Sequence, residues 1–305
     1  MRLMIIGASG FLGAHVRHRA SAAGAEVLTA GRSELPDSPR HRLINLAQED
    51  PAGVAAMIMA AAPDVVVNCA GATAGPPEAM AAANITGACT LTRAMLLTRR
   101  PPRLVHLGSA AEYGRTEPGV PVTEQVTARP GAIYGATKLA GTRLVELAAA
   151  AGLEAVVLRV FNPVGPGAQQ ASLPGRLAAE LRQAAGYGTD VRLGSLDAVR
   201  DFVDVRDVAD AVFAAAAAAT LPHPVLNVGS GRGVPVRAMA KQLLAISGCT
   251  TALHEDAQGP MRSADIPWQQ ADIRRAVADL SWTPRRDLVT SLTDLWEATL
   301  DPTRC

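Results

Sequence analysis

Short unbroken apolar runs recur along the first half of the chain: "RLMIIG" at 2–7, "EVLTAG" at 26–31, "DVVVNCA" at 64–70, "RLVHLGS" at 103–109 and "EAVVLRV" at 154–160. Between them lie Ala-rich stretches with helical spacing: "HVRHRASAAG", "AGVAAMIMAAA", "EAMAAANITGACTLTRAMLL" and a segment from about Tyr134 to Ala151. Strands buried on both faces show no polar alternation. The rhythm therefore predicts an α/β fold, a doubly wound parallel sheet with helices on both sides. After Phe161 it gives way to Pro- and Gly-rich stretches, "NPVGPGAQQASLPG" and "GYGTDVRLGSLDAVRD", typical of binding loops and a smaller C-terminal lobe.

The first run ends in "GASGFLG", residues 7–13, which places Gly7, Gly10 and Gly13 at a strand-to-helix turn with Ser9, Phe11 and Leu12 among them. Glycines there permit a tight turn and let a pyrophosphate approach the helix N-terminus, whose free N–H groups favour anions. The sheet is thus expected to be Rossmann-like. A dinucleotide-binding domain spans 1–160, with "FVDVRDVADAVF" and "VLNVGSG" returning to it near 202–229, and 161–305 is mainly a substrate-binding lobe. At the end of the second strand, where an acid would hold the 2′-hydroxyl of NAD, the chain reads "TAGRSE". Arg32 stands there, and a guanidinium suits a 2′-phosphate, so NADP(H) is the expected cofactor, with NAD(H) possible if Glu34 or Asp37 takes the ribose.

Composition narrows the classes of partner. A chain of 305 residues with a formal charge of +1 lacks the basic excess of a nucleic-acid binder, and 49% hydrophobic residues fit a globular enzyme-sized fold. The opening run is broken by glycines and His15 and no small-residue cleavage site follows, so it reads as a buried strand rather than a secretory signal. The Ala-rich stretch 209–219 contains Asp210 and falls short of the roughly 20 apolar residues a membrane span needs. Cys69, Cys89, Cys249 and Cys305 are scattered, with no C-x-x-C pair or His cluster to build a metal shell. Reduced thiols in a cytoplasm, no metal and no membrane are the expectations.

The chain holds 29 Lys plus Arg, yet lysine occurs only at 138 and 241. One of the two, Lys138, follows Tyr134 by four residues in "AIYGATKLAG", so both project from one helix face. A phenol of pKa about 10 is a poor acid–base group at neutral pH, and a nearby cation favours its ionised form. A compact ammonium can also donate to a cofactor ribose, a role a broad guanidinium does not fit.

With "GASGFLG", "VVNCAG", "NITGACTL", "HLGSAAEYG", "PGAIYGATK", "VLRVFNPVGPG", "VRDFVDVRDVADA", "NVGSG" and the late "LSWTPR", the chain resembles, over nearly its whole length, the extended short-chain dehydrogenase/reductases that act on nucleotide sugars. The resemblance implies that Tyr134 exchanges the proton, Lys138 tunes it and holds the nicotinamide ribose, and Ser109 hydrogen-bonds the reacting oxygen. It places Cys69, Ala70 and Gly71 against the cofactor. Asn84 matches an asparagine near the nicotinamide, with a helix-kinking role as the alternative. Arg200 and Arg262 match arginines that clamp a substrate pyrophosphate, and Asn162 an asparagine contacting the same phosphates; surface ion pairing is the bland alternative for both arginines. A homodimer through the helices of Asn84 and Tyr134 is also implied.

Sugar dehydratases of this family carry Thr-Asp-Glu where this chain has Ser109, Ala110 and Ala111, so elimination of water lacks its acid and base. Glu112, one position on, is expected to support the loop. The branch most resembled reduces nucleotide-linked 4-keto-6-deoxyhexoses, GDP- or dTDP-bound. Alternatives are a nucleotide-sugar 4-epimerase, a ketoreductase on a natural-product aglycone, and a non-enzymatic redox sensor that binds NADP.

Overall fold

The computed structural model describes residues 1–187, 189–255 and 266–300. The chain begins with β1 (Arg2–Ile6), α1 (Phe11–Ala22), β2 (Glu26–Gly31), β3 (His41–Leu43), α2 (Pro51–Ala61) and β4 (Val65–Asn68). Next, α3 (Pro77–Ala81) runs through a π-helical turn, Ala82–Thr86, into α4 (Gly87–Leu97), and β5 (Arg103–Ser109), α5 (Ile133–Ala150) and β6 (Ala155–Val160) follow. The remainder comprises β7 (Asn162–Val164), α6 (Leu173–Tyr187), β8 (Val191–Leu193), β9 (Val199–Asp204), α7 (Val205–Ala217) and β10 (Val225–Val228). It closes with β11 (Gly233–Pro235), α8 (Val236–Ser247), β12 (Leu253–Glu255), β13 (Trp268–Gln269), α9 (Arg274–Leu280) and α10 (Leu288–Leu300).

Seven strands make one parallel sheet in the order β10-β6-β5-β4-β1-β2-β3, as the unbroken apolar runs required. Successive strand residues point to opposite faces. Leu3, Ile5, Val105, Leu107 and Leu158 accordingly meet Val16 of α1 and Val208 and Val212 of α7, while Met4, Ile6, Leu104 and Val157 meet Ile58 of α2, Met95 of α4 and Val145 of α5. Each such side chain, fully buried, contributes about 1.5–3 kcal/mol, and both layers are needed to cover the sheet. The strand order reverses between β1 and β4, and the crevice beyond their carboxyl ends is where open α/β sheets bind ligands.

β10 joins the sheet beside β6 only after the chain has left it for some sixty residues, and α7 packs on α1 beneath it. The second lobe has its own core of Val164, Leu177, Leu181, Phe202, Leu243, Leu295 and Trp296. Its Pro- and Gly-rich stretches are not simply loops: they contain β7 and β8, and β7, β9, β11 and β13 form a small sheet. Strands of two or three residues lie below the length at which periodicity is visible. Among the described residues, no helix is long and apolar enough to cross a membrane.

Candidate active site

The turn after β1 is shaped by glycines that nothing else could replace. Gly7 has φ +80°, in the left-handed region, and a Cβ on it would lie 2.7 Å from the Ala70 amide nitrogen. A Cβ on Gly13 would fall 2.1 Å from the Gly7 carbonyl oxygen, so α1 leans on the turn with no side chain between. Gly10 is the N-cap of α1, no side chain caps it, and no acid occupies its first turn. The first intrahelical bond is donated by Ala14 to Gly10, leaving the N–H groups of Phe11, Leu12 and Gly13 outside the helical ladder. Ser9 is exposed beside them. This is a helix N-terminus open to an anion, in a cradle that a single Cβ would fill, and it fits the pyrophosphate of a dinucleotide.

Cys69, Ala70 and Gly71 follow β4 directly and form the facing wall. Asn68 Oδ1 accepts from the Ala70 amide at 3.1 Å, and Cys69 N donates to Ile6 O at 2.9 Å, so the ends of β1 and β4 are tied together. Burial pushes the Cys69 thiol up to about 12, so it stays protonated beside Lys138. Arg32 lies exposed just past the end of β2.

The other three residues meet at the ends of β5 and α5. Ser109 ends β5, and Tyr134 and Lys138 lie one turn apart near the start of α5. Tyr134 lies beside Ser109, close enough for the serine hydroxyl to act on the phenol. Burial pushes the Tyr134 phenol above its ordinary value, Ser109 pulls it down, and the nearby Glu112 carboxyl pushes it up. The depression by Lys138 expected from the four-residue spacing is therefore not the governing effect. Lys138 Nζ instead donates to Leu107 O at 2.5 Å, and burial lowers its pKa against the opposing pull of Glu112 and Cys69. The buried ammonium is thus held by strand backbone.

Asn84 sits in the π-helical turn with its amide fully used: Nδ2 donates to Ala72 O at 2.9 Å and to Thr137 Oγ1 at 3.0 Å, and Oδ1 accepts from Ala72 N at 2.9 Å. It fastens the loop after Gly71 to the helix of Tyr134. Arg200 and Asn162 come together on paired strands of the small sheet, β9 and β7. Asn162 Nδ2 donates to Asp201 O at 2.9 Å and Arg200 Nη1 to Val199 O at 2.8 Å. Burial draws the Arg200 pKa down to about 10, so it remains a cation at neutral pH. Arg262 lies outside the described residues.

Two polar groups escaped the sequence reading in whole or in part. Glu112, completely buried, accepts from Ser109 N and Thr142 Oγ1 on one oxygen and from Arg159 Nε on the other, at 2.8, 3.0 and 2.8 Å. It does support the loop, and much besides. His106 lies inside β5, and since Asn68 Oδ1 is committed to Ala70, Asn68 Nδ2 donates to His106 Nδ1 at 3.0 Å and the ring proton sits on Nε2. Burial, then Lys138, hold its pKa well below the ordinary value, so the imidazole is neutral. A histidine inside the apolar run "RLVHLGS" was the visible signal.

A parallel sheet with a strand-order reversal, an open glycine turn and a Ser–Tyr–Lys cluster at its edge define an NAD(P)-dependent enzyme of the short-chain dehydrogenase/reductase type. Residues 3–229 match the NAD dependent epimerase/dehydratase family, and the chain belongs to it. It is 39% identical over 307 residues to a dTDP-6-deoxy-L-talose 4-dehydrogenase (NAD(P)(+)) of Kitasatospora kifunensis, covering 97% of this chain and 95% of that one. It is 31% identical over 230 residues to a UDP-glucose 4-epimerase of Corynebacterium glutamicum, covering 71% and 68%. Among solved structures it is similar to MoeE5 in complex with UDP-glucose and NAD, with a TM-score of 0.86, 26% identity and coverage of 99% and 100%.

Proposed function

We propose that the chain is an NADPH-dependent reductase of a nucleoside-diphosphate-linked 4-keto-6-deoxyhexose, a conversion whose reverse is the oxidation at position 4 that names the Kitasatospora relative. The observation that supports this reading is a phenol as the acid–base group with, among the described residues, no carboxyl pair beside it. Tyr134 stands beside Ser109, while Ala110 and Ala111 leave no carboxyl pair to expel water, and the Ala110 carbonyl is bound by Gln269 Nε2 at 2.8 Å. A phenol kept protonated by burial is in the state that a proton donor to a carbonyl oxygen requires. In this reading Ser109 hydrogen-bonds that oxygen and Lys138 holds the nicotinamide ribose. The bound nicotinamide supplies the hydride. The test is to mix the protein with NADPH and a dTDP-linked 4-keto-6-deoxyhexose and follow loss of the reduced cofactor and formation of the 4-hydroxy sugar. No turnover with any nucleotide-linked ketone, alongside turnover of an aglycone ketone, overturns it.

Arg32 supports the choice of NADPH, because the position that would hold an acid against the 2′-phosphate carries a cation. Arg32→Asp is expected to reverse the preference, NADPH losing about 10-fold or more in Kd while NADH gains, as read by fluorescence titration. Equal affinities in the parent count against it. The likeness to UDP-glucose 4-epimerases favours one second reading, a 4-epimerase using the same Ser109, Tyr134 and Lys138. An epimerase interconverts sugars with no net consumption of dinucleotide, so the same assay separates the two. Leu96 and Leu97 of α4 and Leu147 of α5 are exposed, which supports pairing of two copies through these helices. Light scattering at micromolar protein is expected to give twice the chain mass; a monomer there refutes it.

A further inference from the structure

Glu112 is the only fully buried acid at the catalytic end of β5 among the described residues, and it does not face the crevice. Its Oε1 lies where only glycine at 108 leaves room, since a Cβ there would be 2.7 Å away. That oxygen accepts from Ser109 N of β5 and from Thr142 Oγ1 of α5, one turn beyond Lys138. The other oxygen accepts from Arg159 Nε of β6, whose guanidinium lies 4.6 Å above the Tyr113 ring. Arg159 is 3% and Glu112 0% exposed at the side chain. Stability does not explain such a pair, because apolar side chains of the same shape often serve as well or better. Placement does.

We propose that Glu112 is a positioning residue: its one carboxylate locks the Ser109 strand end to the helix carrying Tyr134 and Lys138, and its pairing with Arg159 sets the charge those two catalytic side chains feel. The inference rests on the assignment of Tyr134 as the proton donor. The groups facing Tyr134 and Lys138 are Ser109 and His106 of β5, Glu112 in the turn after it, Cys69 after β4 and, behind Glu112, Arg159 of β6. Of the charged ones other than Lys138 itself, Glu112 is negative and Arg159 positive. Removing either alone therefore moves the ionisation of the phenol, in opposite directions.

The experiment is an ultraviolet phenolate titration of the NADP-bound protein, taken as the difference between the parent and Tyr134→Phe so that Tyr113 and Tyr187 cancel, and repeated in each variant background. Glu112→Gln keeps the size and the acceptor for Ser109 and Thr142; its midpoint is expected about one pH unit below the parent's. Arg159→Gln leaves the carboxylate uncompensated, and its midpoint is expected to rise by a similar amount. Opposed shifts support the proposal. Unmoved midpoints, or shifts of one sign in both, overturn it, because a merely structural role disturbs packing without regard to charge. Should the single variants fail to fold, Glu112→Met with Arg159→Met removes both charges in an apolar pair. It is expected to keep the parent midpoint and lose about 10-fold in kcat through the freed Ser109 strand, and a parent-like kcat overturns the positioning role. A Tyr134→Phe variant that keeps the parent's kcat refutes the proton-donor assignment instead, a result that looks unlike any of these.

Discussion

Tyr134→Phe is expected to lower kcat by about 10²–10⁴-fold while leaving NADPH affinity within a factor of two of the parent. The change deletes one hydroxyl from a ring held by its helix, and the glycine turn after β1, where a pyrophosphate fits, is built from other residues. Steady-state rates with a fluorescence titration of NADPH measure both. The pH dependence has a definite sign. Reduction needs the protonated phenol, and burial raises its pKa, so the rate is held through neutral pH and falls only above the ordinary phenol range. A phenylalanine variant that kept most of its rate would move proton donation elsewhere, and the buried His106 could not supply it, being neutral and inside the sheet.

The second large effect falls on substrate binding. Arg200→Ala is expected to weaken a nucleoside diphosphate by about 10- to 150-fold, the equivalent of about 1.5–3 kcal/mol for charge-assisted bonds to phosphate oxygens. Arg200 is buried yet remains a cation at neutral pH, so it can meet phosphate oxygens with charge-assisted hydrogen bonds. Calorimetry with the free nucleoside diphosphate reads the change, and NADPH affinity serves as the control for folding. Unchanged nucleotide affinity would remove Arg200 from the substrate site.

Much of the sheet was legible because its strands are buried on both faces, and a run such as "DVVVNCA" shows no polar alternation. The glycine turn was legible for a similar reason: Gly7 and Gly13 answer to contacts of 2.7 and 2.1 Å that admit no other residue. The small sheet was not, since pairing of β7 with β9 joins residues forty apart through strands too short to carry a pattern. The Tyr134–Lys138 spacing correctly placed both residues on one helix, but spacing says nothing of where an ammonium is directed, and Leu107 O took it. The Glu112–Arg159 pair was hidden because a charge in "SAAEYG" or "VVLRVF" looks solvated until the two strands are set side by side.

The position of β10 has a consequence for how this protein is made. Residues 225–228 supply the outermost strand next to β6, so during synthesis the nascent sheet waits with an unpaired edge until the ribosome has delivered more than sixty further residues. β6 is wholly buried and apolar but for Arg159, the kind of edge that invites pairing with another chain. At roughly 5–20 residues per second that exposure lasts several seconds. A chain cut after β6 would keep the glycine turn, Ser109, Tyr134 and Lys138 and still carry that open edge, so it is expected to associate with other chains rather than stand as a separate module.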